Sequence, residues 1–158
     1  MAASDYIKWL RGKVGHEPVI LNATNAIIVN DEGEVLFMQR GDFTHDVLWG
    51  LPGGMMEIDE SAEEAVVREA REETGLEIKV EEFLGAYTNN EIVSYPNGDE
   101  CKIILFVFVC TASGKPTADG VESLQLKYFT PDAPPKLFRA YTYTVLSDYI
   151  SGKRGFIR

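Results

Sequence analysis

The sequence predicts an α/β fold built around a mixed β-sheet. Several segments rich in β-branched and aromatic residues alternate with a few segments of helical periodicity, which is typical of that class. The chain has 158 residues, of which 45% are hydrophobic and 25% are charged. This length is typical of one domain, and the composition is that of a globular protein with a buried core. We therefore expect residues 1–158 to form a single domain.

The first third of the chain predicts a short helix, two strands and a loop. Residues 4–12 have the spacing of an amphipathic helix. Residues 19–29 and 34–39 are rich in aliphatic side chains and are predicted strands. The sequence Asn-Asp-Glu-Gly between them favours a turn, so we expect a β-hairpin. Residues 41–54 are rich in glycine and proline and predict a loop, which either carries function or merely connects.

The second predicted helix spans residues 61–74 and has clear signals at both ends. Ser61 and Glu64 have the spacing of a capping box, in which each side chain accepts a hydrogen bond from the other residue's backbone N–H. Gly75 is suited to the position that follows the last helical turn. The helix is therefore the most clearly delimited element of the sequence.

The remaining segments predict three more strands and a final helix. Residues 77–88 and 101–110 are predicted strands, and the second is so apolar that we expect it at the centre of the sheet, buried on both faces. Residues 95–99 predict the turn that precedes it. Residues 124–130 predict another strand, and residues 139–150 predict the final helix.

The cysteines and histidines do not predict a disulfide or a zinc site. Cys101 and Cys110 are separated by an odd number of positions, so they face opposite sides of a strand and should not pair. We expect them, together with the isolated His16 and His45, to be structural or surface residues, because zinc sites need clustered ligands.

The charge of the chain limits its partners. Its 25 acidic and 15 basic residues give a net charge of −10. Such a surface disfavours binding to nucleic acid polymers or to anionic membranes, and an anionic substrate would need local arginine, lysine or a bound cation. No apolar run approaches the roughly 20 residues of a membrane span, and the N-terminal residues lack the apolar core of a signal peptide. We therefore expect a cytoplasmic protein.

Three carboxylates of the 61–74 helix share its docking side. Glu69, Glu72 and Glu73 lie at helical spacing and continue the apolar stripe toward the C-terminal end. Carboxylates at such short distances repel one another unless a cation neutralises them. Carboxylate oxygens are ligands that Mg²⁺ and Mn²⁺ prefer. The alternative is that Arg68 and Arg71 simply pair with neighbouring glutamates. Glu57, Asp59 and Glu63 are interpreted as solvated.

Residues 54–76 resemble the Nudix box, whose pattern is G-x5-E-x7-R-E-U-x-E-E-x-G-U, with U a bulky aliphatic residue. The matching positions are Gly54, Glu60, Arg68, Glu69, Glu72, Glu73, Gly75 and Leu76. Ala70 departs from the pattern because it is small where a bulky residue is usual, which affects packing rather than chemistry. The chain thus resembles the Nudix (MutT-like) hydrolase family, and the resemblance implies an α/β/α sandwich with a mixed β-sheet.

The resemblance also implies a reaction and a ligand set. Nudix enzymes use Mg²⁺ or Mn²⁺ and water to hydrolyse a nucleoside diphosphate linked to another group. By similarity, Glu69, Glu72 and Glu73 would bind the metal together with the backbone carbonyl of Gly53. Either Glu69 or Glu72 would also act on the attacking water. A candidate for a further ligand or base is Glu122, for which the alternative is a solvated loop residue.

Other box residues are implied to support the site. Glu60 and Arg68 resemble the pair that braces the loop and the helix, with Gly54 and Gly75 as structural positions. Arg68 also belongs to the catalytic candidates, since its loss should disturb the ligands.

Two residues outside the box are candidates for contact with the substrate. Arg40 resembles an arginine that family members turn toward substrate phosphates, with a surface arginine as the alternative. Tyr95 could stack on a base or could be a packing residue.

The substrate itself is not specified by these residues. A (d)NTP, including an oxidised one, and a nucleoside diphosphate sugar such as ADP-ribose both remain open. The alternatives to an enzyme are a nucleotide-binding sensor without turnover and an interaction module with an acidic helix. Homodimers are common in the family, and Tyr6 and Trp9 could pack across a partner or onto the chain's own core.

Overall fold

The computed structural model describes residues 4–41, 47–88 and 91–158. The helices in these ranges are α1 (Asp5–Val14), α2 (Ala62–Thr74) and α3 (Tyr141–Ile150). The strands are β1 (Val19–Ile28), β2 (Val35–Arg40), β3 (Trp49–Gly50), β4 (Glu77–Tyr87), β5 (Val93–Ser94), β6 (Glu100–Ser113), β7 (Ser123–Phe129) and β8 (Phe156–Ile157). Part of the predicted 41–54 loop, with His45, lies outside the described residues.

The larger sheet is mixed, as the sequence predicts. Its strand order is β1-β6-β4-β8, and β5 pairs with β6 beside this path. β1 and β6 run parallel, from Val19 opposite Cys101 to Ile28 opposite Cys110, whereas β6 and β4 run antiparallel. The predicted central position of β6 is therefore confirmed. A smaller antiparallel sheet has the order β3-β2-β7.

The predicted hairpin of the first two strands is wrong. β1 and β2 lie in different sheets, and the pairing beside the turn is short: a bridge between Val29 and Val35 and a hydrogen bond from Asn30 N–H to the Glu34 carbonyl. The backbone of β1 already bonds β6 on one edge and a loop on the other. On the loop edge, Thr24 N–H donates to the Gly54 carbonyl at 2.9 Å, and Ala26 N–H donates to the Pro52 carbonyl at 2.8 Å. No edge of β1 is left for β2 to extend the pairing.

Helices cover both faces of the larger sheet. On one face, Val66 and Ala70 of α2 pack with Phe108 and Cys110 of β6. On the other face, side chains of α3 pack in a second cluster that contains alternate residues of β6. The members of that cluster from these elements are Cys101, Ile103, Leu105, Val107, Val109, Val145 and Leu146. This arrangement is an α/β/α sandwich, and the buried Ala70 confirms that the departure from the box pattern concerns packing.

The ends of α2 follow the predicted signals. The Ser61 hydroxyl accepts a hydrogen bond from Glu64 N–H at 3.2 Å, and the Glu64 carboxylate accepts one from Ser61 N–H at 2.8 Å. Gly75 has a φ of 68°, which is the left-handed conformation that favours glycine, and its N–H donates to the Arg71 carbonyl. The capping box and the terminal glycine are therefore confirmed.

Two predicted features of side chains have different outcomes. Cys101 and Cys110 are buried, unpaired and in the two separate core clusters, so the prediction that they do not form a disulfide is confirmed. Trp9 is 57% exposed, so it does not pack onto the chain's own core, although Ile7 and Leu10 of the same helix do.

Within the described ranges, no helix has both the length and the apolar character that crossing a bilayer requires.

We expect the substitution Asp148→Asn to destabilise the fold. The Asp148 carboxylate is buried and accepts hydrogen bonds from Tyr87 Oη at 3.1 Å and from Arg158 Nη2 at 2.7 Å. The Arg158 guanidinium holds the pKa of Asp148 below its usual range. Loss of this charge should lower the free energy of unfolding at pH 7 by about 1–2 kcal/mol, measured by urea denaturation.

The pH dependence of this effect provides the check. Because the folded pKa of Asp148 lies below its unfolded value of about 3.9, the stabilisation is present above that pH and is lost as the pH falls through the folded pKa. The difference between wild type and Asp148→Asn should therefore shrink near pH 3. Substitution of the exposed Asp132 by asparagine should leave stability unchanged at both values. A difference that persisted at pH 3 would contradict this assignment.

Candidate active site

A cavity of about 570 Å³ lies between α1, the loop that precedes α2, and the turn that follows β5. The predicted metal ligands all line it, and they are Gly53, Glu69, Glu72, Glu73 and Glu122. Arg68, Gly54 and Tyr95 line it as well. The structure thus brings together residues from the loop, from α2 and from the segment before β7. Glu60 and Gly75 do not line the cavity.

The Arg68 side chain connects the loop to α2. Its Nη2 and Nε donate to the two carboxylate oxygens of Glu60 at 2.6 and 2.9 Å, and Nη2 also donates to the Met55 carbonyl at 3.1 Å. Its Nη1 donates to Glu69 at 2.8 Å and to Glu72 at 3.3 Å. The contacts to Glu60 and Met55 agree with the role of a brace between the loop and the helix. The contacts to Glu69 and Glu72 show that Arg68 also pairs with neighbouring glutamates of its own helix, which is the alternative. The hydrogen bond to Arg68 lowers the pKa of Glu60.

Glu73 and Glu69 are carboxylates in an environment that disfavours negative charge. Glu73 is 4% exposed, and burial raises its pKa to about 8, although its Oε2 accepts a hydrogen bond from Gly53 N–H at 2.7 Å. Burial also raises the pKa of Glu69, with further contributions from the charges of Glu72 and Glu122. Both groups would keep their charge more easily beside a cation.

The donor chemistry of the cavity fits a divalent cation of the magnesium type. Clustered carboxylates with an adjacent backbone carbonyl are ligands that such ions prefer. Within residues 4–41, 47–88 and 91–158, no three acidic, histidine or cysteine side chains are already arranged around one point as an ion-binding group. The carboxylates of Glu69 and Glu72 accept hydrogen bonds from Arg68, and that of Glu73 accepts one from Gly53 N–H. On binding an ion, these carboxylate oxygens would replace such hydrogen bonds by contacts to the ion.

The two glycines of the loop allow its close approach to β1 and α2. Gly53 has a φ of 145°, and a Cβ there would lie 2.0 Å from the Thr24 carbonyl oxygen. A Cβ on Gly54 would lie 2.5 Å from the carboxyl carbon of Glu69. The loop therefore follows this path only with glycine at Gly53, whereas at Gly54 the missing side chain leaves room for the Glu69 carboxylate.

Glu122 is held in a loop that Asp119 organises. Asp119 Oδ1 accepts hydrogen bonds from the backbone N–H groups of Val121, Glu122 and Ser123 at 2.8, 3.0 and 2.9 Å. Ser123 Oγ donates to the Glu73 carbonyl at 2.7 Å, which ties this loop to the C-terminal end of α2. The Glu122 side chain is thereby kept at the cavity, close enough for its charge to raise the pKa values of Glu69 and Glu73.

The two substrate-binding candidates lie at the edge of this site. Arg40 is 8% exposed, so the alternative of a surface arginine is wrong. It lines a smaller cavity of about 70 Å³ that shares Gly53, Gly54 and Tyr95 with the larger one. Tyr95 is partly buried against the core, and burial raises its pKa. The packing alternative for Tyr95 therefore holds, and its position between the cavities is also compatible with contact to a ligand.

The sequence interpretation misses two residues of this region. The Glu57 carboxylate, interpreted as solvated, accepts hydrogen bonds from the backbone N–H groups of Asp5 and Tyr6 at 3.1 and 3.0 Å. It therefore fixes the start of α1 beside the cavity, and no local sequence pattern indicates such a distant contact. Asp119 could have been found, because an aspartate followed by glycine near a strand is typical of a side-chain-stabilised turn.

Comparison with known proteins identifies the family. The NUDIX domain family matches residues 20–149. The chain therefore belongs to the NUDIX domain family, as the 54–76 pattern predicts, and α1 precedes the matched region.

Named relatives agree with this family. A MutT-like protein of Streptomyces ambofaciens is 36% identical over 106 residues, which are 67% of this chain and 61% of that protein. The chain thus spans less than two thirds of that relative. An ADP-ribose pyrophosphatase of Methanocaldococcus jannaschii is 33% identical over 129 residues, which are 81% of this chain and 72% of that protein. A Bacillus subtilis protein provisionally named as an 8-oxo-dGTP diphosphatase is 32% identical over 126 residues, 80% of this chain and 77% of its own length.

Solved structures show the same fold. The MutT protein of Methanosarcina mazei superposes with a TM-score of 0.70 at 24% identity, covering 87% of this chain and 99% of that one. An ADP-ribose pyrophosphatase of Streptococcus suis gives a TM-score of 0.65 at 23% identity, covering 87% and 96%. The predicted Nudix-type α/β/α sandwich is therefore confirmed.

The substitution Gly54→Ala should weaken cation binding without unfolding the protein. The added methyl group would displace the flexible end of Glu69 rather than backbone. We expect the dissociation constant for Mn²⁺, measured by calorimetric titration, to rise about tenfold or more. Thermal stability should stay close to that of wild type.

The matched control is Gly12→Ala, because a Cβ at Gly12 meets no atom within 4 Å. That variant should bind Mn²⁺ as wild type does and gain about 0.5–1 kcal/mol of helix stability. Unchanged Mn²⁺ affinity in Gly54→Ala would mean that the Glu69 carboxylate does not contribute to cation binding.

Proposed function

We propose that this protein is a pyrophosphohydrolase that cleaves the diphosphate linkage of a nucleoside diphosphate derivative. The observation that carries the proposal is the convergence of Glu69, Glu72, Glu73 and Glu122 on one cavity beside the Gly53–Gly54 loop. The family supports it, because two of the relatives above are named as a pyrophosphatase and a diphosphatase.

The carboxylates of Glu69, Glu72, Glu73 and Glu122, with the Gly53 carbonyl, would hold Mg²⁺ or Mn²⁺. When bound, such an ion neutralises phosphate charge and polarises a phosphoryl oxygen. Glu69 or Glu72 accepts the proton of the water that attacks phosphorus. A different property favours each residue as the proton acceptor. The pKa of Glu69 is raised by its environment, whereas the side chain of Glu72 is 57% accessible to solvent.

Arg68 and Glu60 keep the water-activating carboxylates in place. The Arg68 guanidinium bonds both Glu69 and Glu72 on one side and Glu60 on the other. Its contribution is therefore the position of these carboxylates relative to the loop.

Arg40 and Tyr95 are the proposed contacts to the substrate. Candidate substrates are ADP-ribose and other nucleoside diphosphate sugars, and (d)NTPs including oxidised forms. The ADP-ribose pyrophosphatase and the provisional 8-oxo-dGTP diphosphatase among the relatives support both classes. We further propose a cytoplasmic location and a homodimer, and gel filtration with light scattering tests the latter.

A substrate panel with product identification tests the proposed function. ADP-ribose, a nucleoside diphosphate sugar, dGTP and 8-oxo-dGTP would each be incubated with Mg²⁺, with Mn²⁺ and with EDTA. We expect metal-dependent release of a nucleoside monophosphate from at least one of them. Reaction in ¹⁸O-labelled water identifies the phosphorus that is attacked. Turnover that survived EDTA would rule out a metal-dependent mechanism, and tight binding without products would favour the sensor.

The substitution Glu72→Gln should reduce kcat by about 100-fold or more, since it removes a proton acceptor and a cation ligand while keeping the side-chain shape. The matched control is Glu63→Gln on the same helix, because Glu63 is also exposed but does not line the cavity. Its kcat should equal that of wild type. Equal activity in both variants would remove Glu72 from the mechanism and leave Glu69 as the base.

A further inference from the structure

Two arginines share one aromatic ring beside the proposed reaction centre. The guanidinium carbon of Arg40 lies 5.0 Å from the centre of the Phe138 ring, and that of Arg139 lies 4.2 Å from the same centre. Arg40 comes from the end of β2, whereas Arg139 lies two residues before the start of α3. Two cations are therefore concentrated at one place in a protein whose net charge is −10.

Arg139 is available for a ligand. Within the described part of the chain, its guanidinium makes no ion pair with a carboxylate and stacks on the Phe138 ring. It lines the same small cavity as Tyr95 and Tyr141. Burial raises the pKa of both tyrosines, and the charge of Arg139 opposes this rise. A stacked guanidinium keeps its planar edge free to donate hydrogen bonds.

Both arginines line a small cavity, and the Thr24 hydroxyl adds a polar group to its wall. Its volume is about 70 Å³, which is the space of a few water molecules. Thr24 also lines it, and the buried Thr24 hydroxyl has no hydrogen-bond partner among the described residues. A compact oxyanion suits this space, whereas the fused rings of a purine do not.

The small cavity adjoins the acidic one through Gly53, Gly54, Met55 and Tyr95, which line both. A phosphate chain that crossed the Gly53–Gly54 loop would have one phosphate near the carboxylates and the next near the arginines. Guanidinium groups bind phosphate through two parallel hydrogen bonds, which makes arginine well suited to this task.

We propose that Arg139, together with Arg40, forms a phosphate subsite for the substrate phosphate that the carboxylate side does not hold. This inference rests on the proposed function, and it adds Arg139 as a substrate-binding residue. The subsite recognises the phosphate group and not the base, so it serves any nucleoside diphosphate derivative.

The kinetic test compares Arg139→Ala with wild type on ADP-ribose and on dGTP. KM should rise about tenfold or more, as expected for the loss of a hydrogen bond to a charged group, while kcat stays within about twofold. Arg139→Lys should recover part of the loss, because it keeps the charge but not the planar fork. The control Arg154→Ala removes a guanidinium that stacks on Tyr149 and pairs with Glu82 away from both cavities, and its KM should not change.

A binding test with inorganic phosphate separates this proposal from the proposed function. Amide resonances of residues 138–142 would be followed by NMR during phosphate titration in EDTA. We expect shifts in wild type and at least about tenfold weaker binding in Arg139→Ala. If wild type hydrolyses none of the four substrates of the panel, the proposed function fails but this titration still decides the subsite. Equal phosphate affinity in both proteins, or a lower kcat with unchanged KM, would overturn the subsite.

Discussion

The guanidinium of Arg68 is the interaction on which the geometry of the site depends. It bonds both oxygens of Glu60 and so fixes the loop, and its other nitrogen bonds two carboxylates of α2. The network continues beyond Arg68, because Glu60 also accepts a hydrogen bond from Glu57 N–H at 2.7 Å. Glu57 in turn holds the start of α1. The Arg68 guanidinium thereby fixes the relative positions of two helices and a loop. Its removal would leave several partly buried carboxylates without a partner.

The site combines opposite charges on the two sides of the Gly53–Gly54 loop. Glu69, Glu73 and Glu122 accumulate negative charge on one side, and Arg40 and Arg139 accumulate positive charge on the other. Arg40 is near enough to Glu73 to oppose the rise in its pKa caused by burial. A low-dielectric environment strengthens both fields. Such a division suits a substrate that carries several phosphates, because a bound cation neutralises one portion while guanidinium groups neutralise another.

The sequence predicts the local features of this protein better than its long-range pairing. The limits of α2 depend on neighbouring residues such as Ser61, Glu64 and Gly75, and the helical spacing of the glutamates places them on one side. The pairing of β1 depends instead on β6, about 80 residues away, for which the sequence carries no local signal. The same reason explains why Glu57 was misjudged, since its partners are the backbone groups of a helix more than 50 residues away.

The two buried cysteines lie on opposite faces of the sheet, so the reactivity of each thiol reports on the opening of one face. Cys101 lies in the core on the α3 side and Cys110 in the core on the α2 side, and burial raises the pKa of both thiols, that of Cys110 to about 12. A thiol reagent reacts with the thiolate and needs access, so each cysteine is labelled only when its own layer opens. Labelling rates of the two single-cysteine variants would therefore distinguish loosening of the layer that carries the carboxylates from loosening of the layer beneath α3.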